Sequence, residues 1–93
     1  MVIGILQMAL RFPEAQSLKA KRWQLKSLVS QVRNKFNVSI SEIDSQDSWQ
    51  ASVLAVAHVG NDRTYANRLL DQVLNFTQKV KLFEVVDSQL EFY

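Results

Sequence analysis

Residues 45–62, SQDSWQASVLAVAHVGND, decide the fold. SQDS (45–48) has the composition of a tight turn. Residues 49–59 then alternate, with Leu54, Val56 and His58 on one side and Val53, Ala55 and Ala57 on the other, the period of a strand. Gly60, Asn61 and Asp62 break that strand and offer a helix cap. A strand that follows a hairpin and runs directly into a helix is the middle of a longer alternation.

Upstream of the turn, residues near 38–44 read as the hairpin's other strand. A helix precedes it, from about Ser17 to Asn37. At about 100° per residue, Leu18, Leu25, Leu28, Val29, Val32 and Phe36 share one of its faces. Before it, residues 2–12 alternate: Gly4, Leu6, Met8, Leu10 and Phe12 against Ile3, Ile5, Gln7, Ala9 and Arg11, with Pro13 ending the strand. Downstream, residues 62–80 form a second helix with an apolar stripe of Tyr65, Ala66, Leu69, Val73, Phe76 and Val80. LFEVVDSQLEF (82–92) closes the chain as a strand. The order βαββαβ, with two crossovers and one hairpin, predicts an α+β, ferredoxin-like domain: a four-stranded antiparallel sheet with both helices on one face.

The chain has 93 residues, which makes residues 1–93 a single domain. It has no cysteine, hence no disulfide or thiolate site. MVIGILQMAL is too short and too soon followed by charge to span a bilayer, so a soluble, cytoplasmic protein with no membrane association is expected.

Charge is unevenly placed. Residues 11–36 carry seven cations against Glu14 alone, leaving +6, while the remainder carries four cations against eight carboxylates, leaving −4; together these give the net +2. Within SLKAKRWQLKSL (17–28), Lys19, Arg22 and Lys26, with Arg33 further along, fall in a narrow stripe beside the apolar face. Trp23 projects away from the core next to them. Such an arrangement suits phosphate contacts with a stacking indole, and equally a solvated surface helix whose Trp23 lies against a loop. Lys21 points toward the apolar side above Leu25 and Leu28. There a charge needs an anionic or carbonyl partner, unless it snorkels to water at the first turn; a functional lysine is the alternative.

The sheet face opposite the helices is expected to show Ile3, Ile5, Ala9, Val53, Ala55 and Ala57, aliphatic and small rather than aromatic. That composition argues against base stacking on the sheet and for an interface with a second copy, a dimer being favoured; cover by the C-terminal residues 91–93 is the alternative. Catalytic signals are thin. The lone His58 faces the helices as a hydrogen-bonded, semi-core residue, Asp44, Asp47 and Asp62 are turn formers, and the two glycines make no phosphate loop. No catalytic residue, metal ligand or cofactor is expected, and an enzyme is disfavoured.

SLKAKR, RNKFNVSISEID, SQDSWQ and the strand ending in GND together resemble the YlxP-like bacterial proteins, a small domain-of-unknown-function family, over the whole chain. The matching residues are Ser17, Leu18, Lys19, Lys21 and Arg22; Arg33, Asn34, Phe36, Asn37 and Val38; Gln46, Asp47, Trp49 and Gln50; Asn61 and Asp62. The resemblance implies a ferredoxin-like fold. It also implies a gene neighbourhood of translation-initiation and ribosome-maturation genes, which makes RNA or a ribosomal particle a plausible partner. Ala20 replaces a glutamate common in the pattern, so no reciprocal capping box forms, although Ser17 can still cap. Ser45 replaces its usual histidine, so no role of that histidine carries over. Two readings stand: an RNA-associated binding module using Lys19, Lys21, Arg22, Trp23, Lys26 and Arg33, and a self-associating or protein-binding module using Ile3, Ile5, Val53, Ala55 and Ala57.

Overall fold

A computed structural model describes residues 1–93. The elements are β1 (Val2–Arg11), α1 (Leu18–Lys35), β2 (Ser39–Asp44), β3 (Ala51–Gly60), α2 (Arg63–Gln78) and β4 (Glu84–Phe92). The strands form one antiparallel sheet in the order β2-β3-β1-β4, the ferredoxin-like arrangement.

The alternation in β1 and β3 is what fixes the layers. Leu6 pairs with Val56 and Met8 with Leu54 in register, and all four are buried beneath the helices with Leu10, Leu25, Leu28, Val32, Leu70 and Val73. Each such side chain contributes about 1.5–3 kcal/mol by leaving water. Gly4 has a specific reason to be glycine. A Cβ there would stand 2.7 Å from Leu70 Cδ1 and 3.3 Å from the Phe92 ring, so the missing side chain lets α2 settle on β1.

Both caps form. Ser17 Oγ accepts from Ala20 N at 3.0 Å, and Asp62 Oδ1 accepts from Thr64 N at 2.9 Å and Tyr65 N at 3.3 Å. Phe36, extended at φ −126°, ends α1.

Four details depart from the sequence pattern. Tyr65, assigned to the α2 stripe, is 54% exposed with its ring 5.8 Å from that of His58, while Leu70 is buried in its place. β3 starts at Ala51 rather than Trp49, its pairing with β1 ending in a last bond from Phe12 N to the Gln50 carbonyl at 2.8 Å. β4 starts two residues late, with Phe83 turned in against Phe12 at 5.3 Å between ring centroids. Bulges shift the register in β4 opposite Ala9/Leu10 and in β2 between Glu42 and Asp44, leaving Val86 and Ile43 exposed.

Candidate nucleic-acid interface

The first turns of α1 separate its cations into two kinds. Lys21 lies on the core side, and its burial is complete, 0% exposed. Its Nζ donates to the Ser45 carbonyl at 2.7 Å and meets Glu42 Oε2 at 2.9 Å. The same carboxylate oxygen accepts from Ser52 Oγ at 2.6 Å, and Ser52 is itself buried. The register explains the geometry: Ile40 pairs with Val56 and Glu42 with Leu54, so Glu42 is the β2 side chain that rises toward α1 at this level.

Lys21 therefore has both an anionic and a carbonyl partner and does not snorkel. Its assignment to the nucleic-acid set is corrected: a fully buried ammonium already holding two oxygens has no surface to offer a phosphate. Its work is to join α1 to the β2–β3 loop. Ser45, which supplies the carbonyl, adopts φ 63° while its N–H donates to Asp44 Oδ1 at 2.7 Å. A non-glycine residue in the left-handed region needs such support. Glu42, Ser52 and the Ser45 carbonyl were absent from the sequence-level site. The signal that could have found Glu42 is its parity with Ile40 in β2.

Lys19, Arg22 and Lys26 are the other kind. All three are exposed, and neither of the two ion pairs in the molecule, Arg11–Glu84 and Lys21–Glu42, uses them. Trp23 stands among them 76% exposed. A shallow depression is lined by just these four side chains, and a second by Trp23, Lys26, Ser27 and Ser30. Trp23 does not fold back against a loop. Arg33 is exposed further along the row and donates to the Ile40 carbonyl at 3.1 Å, which leaves its other nitrogens free.

The remaining predicted positions fall elsewhere. Ile3, Ile5, Val53, Ala55 and Ala57 lie on the sheet face away from the helices, each partly accessible, with Ile5 beside Ala57 and Ile3 beside Val59. The C-terminal residues border it: Glu91 pairs with Ile5 and Tyr93 with Ile3, so both side chains share this face at its β4 edge, whereas Phe92 turns to the helix side under the Arg63 guanidinium, 4.6 Å from the ring centroid. Tyr93 extends β4 beside Ile3. Its hydroxyl donates to Glu91, and that hydrogen bond, with the carboxylate's charge, holds the phenol above its ordinary value of 10.0.

His58 is buried, and its Nδ1–H donates to the Asn37 carbonyl at 3.0 Å, which makes it a strut between β3 and the end of α1. His, Asp and Glu side chains nowhere gather in threes that could hold a metal ion. The largest recess, about 560 Å³, lies between the ends of the two helices. Its Lys35 is already engaged over the Phe76 ring at 4.8 Å, and both Lys35 and Lys79 sit where helix C-termini attract cations. No helix is long and apolar enough to cross a membrane.

Residues 3–90 match a family described as protein of unknown function (DUF503). The chain belongs to this family. It is 37% identical over 92 residues to the uncharacterized protein YlxP of Bacillus subtilis (strain 168), covering 99% of this chain and 100% of that one. Among solved structures, this DUF503 domain is similar to the de novo designed protein Foldit4, with TM-score 0.50, 16% identity, and coverage of 98% and 93%. It is also similar to LarC2, the C-terminal domain of a cyclometallase involved in the synthesis of the NPN cofactor of lactate racemase, with TM-score 0.50, 13% identity, and coverage of 100% and 55%. At such identities the likeness is one of fold. In the DUF503 domain the residues that carry the sequence resemblance fall at both ends of the sheet, Ser17, Lys21, Gln46, Asp47, Trp49 and Gln50 near the start of β3, and Asn37, Asn61 and Asp62 near its end. Ser17 caps α1, Lys21 holds the loop containing Gln46, Asp47 and Trp49, and Gln50 anchors the end of β1.

Proposed function

We propose that this DUF503 domain is a non-enzymatic RNA-binding module that engages phosphates through the outer face of α1. The observation that supports it is the row Lys19, Arg22 and Lys26, without a carboxylate partner, around a 76% exposed indole. Like charges crowded near a helix N-terminus oppose the helix dipole. An arrangement that costs stability without an internal partner is accounted for by an external anion. The gene neighbourhood implied by the sequence resemblance makes ribosomal RNA a suitable source of that anion.

With Lys21 removed from the set, three cations reach phosphate, four if Arg33 joins them. The expected slope of log affinity against log salt is then about −2 to −3 for a single strand. A filter-binding titration with wild type and Arg22→Glu/Lys26→Glu tests this. Salt-dependent binding that the double variant loses is the expected result; absence of binding by wild type at low salt overturns the reading.

A second reading rests on a different surface. Ile3, Ile5, Ala9, Val53, Ala55 and Ala57 lie on the two central strands of the sheet face away from the helices, with Gln7 among them; the whole face, polar outer strands included, projects about 600 Å². A standard interface takes about 800 Å² from each partner, so a second copy stacked on this face fits a weak dimer. Light scattering of wild type beside Val53→Glu decides it: a monomeric wild type overturns the dimer.

A further inference from the structure

We infer that the RNA taken by this surface is an unpaired strand of up to about six nucleotides, held by stacking on Trp23 as well as by charge; this deepens the RNA-binding reading and rests on it. Trp23 is 76% exposed, and depressions adjoin it, one cationic with Lys19, Arg22 and Lys26, another bearing the hydroxyls of Ser27 and Ser30, a third beside Ser17 and Gln24. The indole is thus open to a planar group. In an RNA duplex the bases are stacked within the helix and its deep groove excludes side chains, so a projecting indole has nothing to stack on. A splayed single strand presents its bases to an aromatic platform while its phosphates track the adjacent cations.

The spacing sets the footprint. Lys19 and Lys26 are seven residues apart, about 10 Å along the helix axis, and Lys19 and Arg33 about 21 Å. At the roughly 3.4 Å rise of a stacked strand, the closest spacing, these distances take at most about three and six nucleotides, and fewer where the strand is splayed. A membrane surface, the other partner of basic helices bearing tryptophan, is disfavoured by what α1 has already buried. Leu25, Leu28, Val32 and Phe36 are in the core, and beyond Trp23 the outer face offers Ser27, Ser30 and Asn34, with no second apolar group to insert.

The test is indole fluorescence in a Trp49→Phe background, which leaves Trp23 as the reporter. Single-stranded uridine oligomers of three, six and twelve residues, a twelve-base-pair RNA duplex, and vesicles of phosphatidylglycerol are titrated at one salt concentration. Saturable quenching by the single strands is expected, at least tenfold tighter than the duplex, with affinity levelling off by the hexamer. Read by filter binding, since it removes the reporter, Trp23→Ala weakens the single strand by about 5- to 150-fold and leaves the duplex unchanged. Equal affinity for the two forms, or no effect of Trp23→Ala, overturns the unpaired-strand inference while leaving RNA binding in place. Failure of both RNA forms overturns both, and a blue shift with vesicles alone assigns the surface to lipid.

Discussion

Replacing Lys21 by methionine separates a structural cation from the binding cations beside it. The substitution keeps most of the aliphatic stem that fills space against Leu25 and Leu28, and removes only the ammonium. Two groups then lose their partner, the Glu42 carboxylate, which keeps Ser52 Oγ, and the Ser45 carbonyl, and with the latter goes a tie on the left-handed turn that begins the β2–β3 loop. Breaking one side of a buried ion pair costs about 3–5 kcal/mol. The Glu42 side chain is 18% exposed and can draw some water, so the lower end, about 3 kcal/mol, is expected. Against a total of about 5–14 kcal/mol for a domain of this length, that is a large loss, equivalent to about 12–24 °C in Tm. Urea denaturation followed by circular dichroism measures it. Lys21→Met/Glu42→Met should recover most of the loss, since two apolar groups in place of a buried pair are often neutral. RNA binding supplies the second half of the experiment. In the folded Lys21→Met protein the salt slope should equal that of wild type, whereas Lys26→Gln should flatten it by about 0.7. A cost below 1 kcal/mol for Lys21→Met would show that the ammonium is not the tie described. A flattened slope would return Lys21 to the binding surface.

Gly4→Ala should destabilise the fold by about 1–3 kcal/mol, because the new methyl lands 2.7 Å from Leu70 Cδ1; a denaturation midpoint equal to wild type would place α2 further from β1. Ser17→Ala removes the one side-chain cap of α1 and should cost about 1 kcal/mol, read from the same denaturation curves, with the salt slope of RNA binding unchanged. Glu91→Gln should bring the Tyr93 phenol back toward its ordinary value, so that phenolate absorbance rises at lower pH than in wild type; identical titration curves would deny the Glu91 contact.

The sheet order, the helix positions and both caps were legible because each rests on local chemistry. Alternation in 2–12 and 49–59, Pro13, Ser17 and Asp62 act over a few residues, and the pattern of two crossovers and a hairpin admits few topologies. His58 was legible on the same ground, since strand parity with Leu54 and Val56 determines its side. Where the reading failed, the cause was non-local. The wheel placed Lys21 correctly over the core, but its partners lie 21 and 24 residues away, and finding them takes the β2–β3 register and the turn at Ser45. Tyr65 was misassigned because helical period gives a side chain's direction and not what lies beneath it: Ala66 is fully buried beside it, Tyr65 is 54% exposed. The two bulges leave no mark in composition.

The candidate surface exists because folding does not cancel the charge asymmetry of the chain. Six of the nine carboxylates are engaged by short-range chemistry, and of the other three, Glu14, Asp47 and Asp71, none pairs with a cation of α1. Asp44 and Asp87 accept backbone N–H groups of the next residue, Asp62 caps α2, Glu84 pairs with Arg11, and Glu91 takes the Tyr93 hydroxyl. Glu42 alone reaches α1, and it reaches the one cation that points inward. What is left on the outer face is Lys19, Arg22 and Lys26 within about 10 Å of helix, a span close to the Debye length at physiological salt. At that spacing the three act as one field rather than three screened points. An indole in their midst gives that field a flat apolar surface, 76% open to solvent.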